Sequence, residues 1–186
     1  MIEFSAESIK KAERLLGGIQ DALPQAQVNA INRSLEAGRA EAVRSITKEY
    51  IIRTGDVRKA INIKKAILNK PTGAISSVGS PIALSKFNVS AGKPGKKAVL
   101  TAQVKRSGSR KPIKKAFIAT ANSGHVGVYI RAGKARLPLV QLHGPSIPQM
   151  MGAENVIKKI EARAAEILDS RMEHEISRVL DRGLPD

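Results

Sequence analysis

Ala116-Phe117-Ile118-Ala119-Thr120 and, after Ala121-Asn122-Ser123-Gly124, His125-Val126-Gly127-Val128-Tyr129-Ile130 are the stretches that decide the fold. Both are short, rich in β-branched and aromatic residues, and bounded by Gly, Ser and Asn, which is the pattern of strands rather than helices. Three earlier stretches share it: Ile61-Asn62-Ile63, Ala74-Ile75-Ser76-Ser77-Val78 and Ala98-Val99-Leu100-Thr101-Ala102-Gln103-Val104. Together they predict a small, mostly antiparallel β-sheet in the middle of the chain.

Helices flank that middle. Ile9, Ala12, Leu15, Leu16 and Ile19 recur at helical spacing and predict a short helix over about 5–19, with a ragged end at Gly17-Gly18. Pro24 suits the first turn of a longer helix, because its missing N–H is not needed there. Val28, Ile31, Leu35, Ala42, Ile46 and Tyr50 carry that helix to about residue 50, with Gly38 as a point of bending and Thr54-Gly55-Asp56 as its break. A second long amphipathic helix is predicted over about 153–180, on Val156, Ile157, Ile160, Ala164, Ile167, Leu168, Ile176 and Val179, with Met172 less well aligned. The fold class is therefore α+β. A single domain over 1–186 is expected, subdivided into an N-terminal helical region (1–56), a basic β-rich region (57–135), a Pro-rich connector (136–152) and a C-terminal helix (153–182).

Charge divides the chain at the same places. The 186 residues hold 32 Lys and Arg against 16 Asp and Glu, a net +16. Residues 1–56 carry eight of each sign, and 154–186 carry six basic and eight acidic. The 97 residues between Asp56 and Glu154 contain 18 basic side chains and no acidic one. Natural surfaces usually intersperse both signs, so this block is expected to face something negative, either nucleic acid or an acidic protein. Two loops concentrate it, Gly92-Lys93-Pro94-Gly95-Lys96-Lys97 and Lys105-Arg106-Ser107-Gly108-Ser109-Arg110-Lys111-Pro112. Their Gly and Ser content predicts mobile loops, and they could bracket a long hairpin arm.

Chemistry is sparse by comparison. With no Cys, there is no disulfide, thiolate zinc site or cysteine nucleophile. His125, His143 and His174 are scattered with no close ligand spacing, and His174 between Glu173 and Glu175 reads as a surface residue. Ser123 near His125 lacks an orienting carboxylate nearby in sequence. The 92–97 loop lacks the glycine spacing and the Ser or Thr of a nucleotide phosphate loop. Paired carboxylates cannot come from a block that has none. The five aromatics do not interleave with the basic loops, so no stacking platform for single strands is indicated, and Phe117 and Tyr129 read as core. No apolar run approaches the roughly 20 residues of a membrane span, and the acidic, polar N-terminus is unlike a signal peptide. The expectation is a soluble, non-enzymatic protein without a cofactor or metal.

One stretch remains: Arg136-Leu137-Pro138-Leu139-Val140-Gln141-Leu142-His143-Gly144-Pro145-Ser146-Ile147-Pro148-Gln149-Met150. Three prolines in eleven residues forbid a helix and hold the chain extended, as a rigid connector that pins the last helix to the sheet. The same stretch, through Arg136, Leu137, Pro138, Gly144, Pro145, Ser146 and Pro148, resembles the minor tail protein Z family of lambda-like tailed phages, also called tail completion proteins. Chain length, Asn29-Ala30-Ile31-Asn32-Arg33 in a long N-terminal helix, the basic middle and the terminal amphipathic helix agree with it.

The resemblance implies a virion structural protein, made in the host cytoplasm and acting at the head-proximal end of the tail. There it would join tail to head beside the tail terminator and head–tail connector proteins, as a ring, commonly hexameric, around the DNA channel. No catalytic residue comes with the family. In that setting Lys93, Lys96, Lys97, Lys105, Arg106, Arg110, Lys111, Lys114 and Lys115 are the candidate contacts to genomic DNA or an acidic neighbour. Neutralising Lys105, Arg106, Arg110 and Lys111 together is expected to abolish tail–head joining and leave the fold intact. The alternative is a non-specific nucleic-acid-binding protein whose basic loops grip the phosphate backbone.

Overall fold

The computed structural model describes residues 6–16, 22–90, 99–120, 124 and 126–183. Five helices are α1 (Ala6–Leu16), α2 (Ala22–Glu49), α3 (Thr54–Ala60), α4 (Ile147–Met151) and α5 (Glu154–Gly183). Ten strands lie between α3 and α4: β1 (Ile61–Lys64), β2 (Ala74–Ser77), β3 (Ile82–Ala83), β4 (Asn88–Ser90), β5 (Leu100–Gln103), β6 (Lys111–Ile113), β7 (Phe117–Thr120), β8 (Val126–Arg131), β9 (Leu139–Gln141) and β10 (His143–Gly144). The α+β class holds, and every pairing is antiparallel. Instead of one sheet there are four small ones, ordered β1-β2, β3-β10, β4-β5-β6 and β7-β8-β9.

The chain divides into two compact units. Unit 1 comprises 1–44, 61–77 and 153–186; unit 2 comprises 45–60 and 78–152. The described residues of unit 1 are helical apart from the β1-β2 hairpin and its neighbours. Its core joins Ala12 and Leu16 of α1 to Ala22, Ala26 and Ala30 of α2 and to Leu168, Met172 and Ile176 of α5. The buried α5 positions Val156, Ile160, Ala164, Leu168, Met172 and Ile176 repeat every four residues. On a helix of 3.6 residues per turn such a row drifts about 40° per step, so it winds around the axis. Met172 is fully buried for that reason, although it falls off a straight stripe.

On α2 a row of small buried residues, Ala22, Ala26, Ala30, Ser34, Gly38 and Ala42, runs at the same step. Gly38 does not end the helix. A Cβ there would lie 2.7 Å from Ile75 Cδ1 and 3.4 Å from Ala164 Cβ, so glycine lets β2 and α5 approach α2. Asn32 holds the hairpin from the side: its amide donates to the Ala66 carbonyl (3.1 Å) and accepts from the Ala66 N–H (2.8 Å). Asn29 donates to Glu175 (2.9 Å), a carboxylate only 9% exposed that Arg178 also engages. The charged end of Glu175 thereby keeps partners away from water.

Unit 2 holds the other three sheets. Val57, Leu84, Phe87, Leu100, Val128, Tyr129, Ile147 and Met150 are buried in it. Three expectations change here. Thr54-Gly55-Asp56 does not break helical structure but opens α3, where Asp56 suits the positive N-terminal end and Val57 is buried. The turn from Lys105 to Arg110, expected to be mobile, is tied down, as described below. The stretch expected to be an extended connector is a built part of the unit, with two strands and a helix. Pro148 tolerates that helix because it stands at its second position, where no intrahelical N–H is called for.

Candidate functional site

The basic side chains of unit 2 fall into groups with different duties. Where α2 ends, residues 49–51 pair with the chain leaving β5: the Ile51 N–H donates to the Val104 carbonyl (2.8 Å) and the Arg106 N–H to the Glu49 carbonyl (2.8 Å). Lys105 makes a 2.9 Å ion pair with Glu49, and its ammonium sits 5.3 Å from the centre of the Tyr50 ring. The hydrogen bond to Glu49, joined by the charges of Tyr50 and Glu49, raises the Lys105 pKa above the ordinary 10.5. Arg106 Nε donates to the Thr47 carbonyl (2.9 Å). Both side chains thus fasten the β5-β6 turn to the end of α2.

A second network closes that turn. Gln103 donates to the Gly108 carbonyl (2.6 Å) and more weakly to that of Arg106 (3.4 Å); Asn88 donates to Gln103 (3.4 Å) and accepts from Arg110 Nη2 (2.9 Å). Lys105, Arg106 and Arg110 are therefore exposed but employed within the fold. The expectation that all four of Lys105, Arg106, Arg110 and Lys111 can be neutralised without touching the fold is corrected: three of them hold the hairpin.

Lys111, Lys114 and Lys115 are exposed, and none has an ion pair among the described residues. Lys115 adopts φ 62° in the turn between β6 and β7, a backbone setting that L-residues rarely take. Lys93, Lys96 and Lys97 lie outside the described residues, and with them the 92–97 half of the expected hairpin arm; Ser123 and His125 do as well. His143 and His174 are exposed.

The Arg136–Met150 stretch is explained by packing. Arg131 Nη1 donates to the Arg136 carbonyl (2.6 Å), and the Ala132 N–H donates to that of Pro138 (3.1 Å), closing the loop between β8 and β9. Leu137 is exposed, while β9 pairs with β8. The Leu142 N–H donates to Val128 and its carbonyl accepts from Leu84, stitching two sheets together. At Gly144 a Cβ would stand 2.5 Å from the Phe87 ring, so only glycine lets that ring lie against β10. Half-buried Pro145 leads into Ser146, which caps α4: its hydroxyl accepts from the Gln149 N–H, and Gln149 Oε1 accepts from the Ser146 N–H.

Sequence reasoning passed over Arg131, Lys134 and Arg136 as cations. Arg131 lies 5.5 Å from the centre of the Phe117 ring, so Phe117 is a half-buried platform rather than a core residue, whereas Tyr129 is buried. With them counted, unit 2 holds 17 Lys and Arg against two acids, Glu49 and Asp56; unit 1 holds 15 against 14. Most of the acid-free block thus falls in unit 2, which carries a net +15, while Lys64, Lys65 and Lys70 of the block belong to unit 1.

A family model described as prophage minor tail protein Z (GPZ) matches residues 7–184. The chain belongs to this family. No curated protein and no solved structure matches it. As a minor tail protein it has a structural role in the phage tail, belongs to the virion and has other virion proteins as its partners. Among the described residues no helix is long and apolar enough to cross a membrane. The resemblance carried by Arg136–Pro148 therefore names the right family, through residues that help to build the unit.

Proposed function

We propose that this minor tail protein is a tail completion factor. It acts at the head-proximal end of the tail, between the tail terminator and the head–tail connector, and is needed for the tail to join the head. It works by stoichiometric binding, as a ring of identical copies (six in the simplest reading) around the DNA channel, and adds to the tail while both are in the host cytoplasm. Lys93, Lys96, Lys97, Lys111, Lys114 and Lys115 are its outward contacts, with Lys105, Arg106 and Arg110 presenting the same hairpin.

The observation that carries this reading is the +15 of unit 2. One of the unit's two acids is already engaged by Lys105, so the excess has no counterpart inside the unit. A ring of such bodies repels itself unless a negative surface lies against it, and salt screens charges only beyond about 8 Å at physiological strength. A neck position supplies negative surface from neighbouring rings or from DNA in the lumen.

Tails purified from particles lacking this chain, mixed with filled heads and counted for joined particles, test the reading. Added wild-type protein restores joining in the proposed role. Tails that join heads equally well without it contradict the role. A monomer that coats free duplex DNA, with affinity falling steeply in salt, would favour the nucleic-acid-binding alternative.

A further inference from the structure

The sheet β7-β8-β9 has, on one face, aliphatic side chains that stand exposed around a buried centre among the described residues. Its register sets Ile118 opposite Val128, Ile130 opposite Val140 and Thr120 opposite Val126, and paired residues share a face. Val128 is fully buried, yet Ile118, Val126 and Val140 are 44%, 51% and 46% exposed. One exposed aliphatic side chain is ordinary, whereas three on one face of one small sheet form a patch. At the end of the same sheet stand the exposed cations Lys114 and Lys115, leading into β7, and Lys134 and Arg136, between β8 and β9; Arg131, the last residue of β8, lies on the opposite face over the Phe117 ring. The two acidic residues of unit 2 are Glu49, which pairs with Lys105, and Asp56, and none follows Asp56 in the unit.

We propose that this face docks a neighbouring tail protein through an apolar patch that is rimmed by carboxylates. The inference rests on the tail role above and names the kind of partner that role requires. Duplex DNA would satisfy the cations, but its phosphate backbone has nothing to cover Ile118, Val126 and Val140. A second copy of this chain, meeting the face symmetrically, would cover the aliphatic groups but set four cations against the same four. An acidic rim around an apolar centre satisfies both features, in the usual arrangement of a protein interface.

The test is the double variant Ile118→Lys with Val140→Lys, both at exposed strand positions, with Val140→Thr as a companion that keeps β-propensity. Tails lacking this chain and a short duplex DNA of random sequence are the two probes, after circular dichroism has shown an unchanged fold. Incorporation of the double variant into tails should fall at least about tenfold, with a smaller fall for Val140→Thr. Its affinity for duplex DNA should be unchanged or higher, since two lysines have been added. Normal incorporation of both variants overturns the proposal, because then nothing covers the face. A self-association of the wild-type chain that the double variant abolishes also overturns it, in favour of a second copy. Failure of the wild-type chain itself to enter tails would instead count against the tail completion role.

Discussion

Unit 1 and unit 2 use charge in opposite ways. In unit 1, nearly balanced in sign, six cations have acidic partners within the unit: Lys11 with Glu173, Arg44 with Glu41, Lys65 with Glu36, Lys158 with Glu154, Arg163 with Glu166, and Arg178 with a buried Glu175. In unit 2 the ion pair between Lys105 and Glu49 fastens a hairpin, while Lys111, Lys114, Lys115, Lys134 and Arg136 have no acidic partner among the described residues. A body that balances its own charge can serve as scaffold. One that does not must find its counter-charge elsewhere, which is why we propose that unit 2 makes the contacts.

Four measurements would sharpen or break that contrast. The largest effect concerns the cores. Met172 in unit 1 and Met150 in unit 2 are both fully buried, so Met172→Ala and Met150→Ala should each lower stability by about 2–5 kcal/mol in urea unfolding. A near-neutral Met150→Ala would mean that unit 2 has no core of its own and takes its shape from a partner. Next comes Asn29→Ala, which leaves the Glu175 carboxylate with one partner fewer; a loss of about 1–3 kcal/mol is expected by the same method. Ser146→Ala removes the hydroxyl cap of α4 and should destabilise by about 0.5–2 kcal/mol, read as a lower Tm.

The smallest effect is a pH dependence. Because folding raises the Lys105 pKa, the stabilisation it brings is complete below the unfolded value and is lost as pH rises through the folded one. Tm should therefore show no Lys105 contribution to its slope near neutrality. Above pH 10.5 it should fall more steeply for the wild type than for Lys105→Gln. Equal slopes there would remove Lys105 from its anchoring role.

The long helices were legible because a row of large aliphatic residues at steps of three and four leaves little doubt about a helix. The companion row on α2 was not, since Ala, Ser and Gly carry almost no hydrophobic signal, and Gly38 read as a weakness until Ile75 and Ala164 were seen against it. Strands of two or three residues, such as β3, β4 and β10, are too short to show alternation. The number of prolines suggests a helix breaker at Pro148, but what matters is its place two residues after the capping Ser146, where a helix accepts proline. In the candidate site the charge was visible at once, but not its division of labour. Glu49 is 56 residues from Lys105, and Asn88 is 22 from Arg110, so only the fold could show which cations are already occupied.

The central claim is that the outward charge of unit 2, and not total charge, joins this protein to its neighbours. Two variants of equal charge test it: Lys111→Gln, Lys114→Gln and Lys115→Gln together in unit 2, against Lys158→Gln, Lys159→Gln and Arg163→Gln together in unit 1. Each is added to tails lacking the chain, and head-joined particles are counted at physiological salt. The unit 2 variant should lose at least about tenfold, and the unit 1 variant should stay within about twofold of wild type. Equal losses, or a larger loss from the unit 1 variant, would contradict the account.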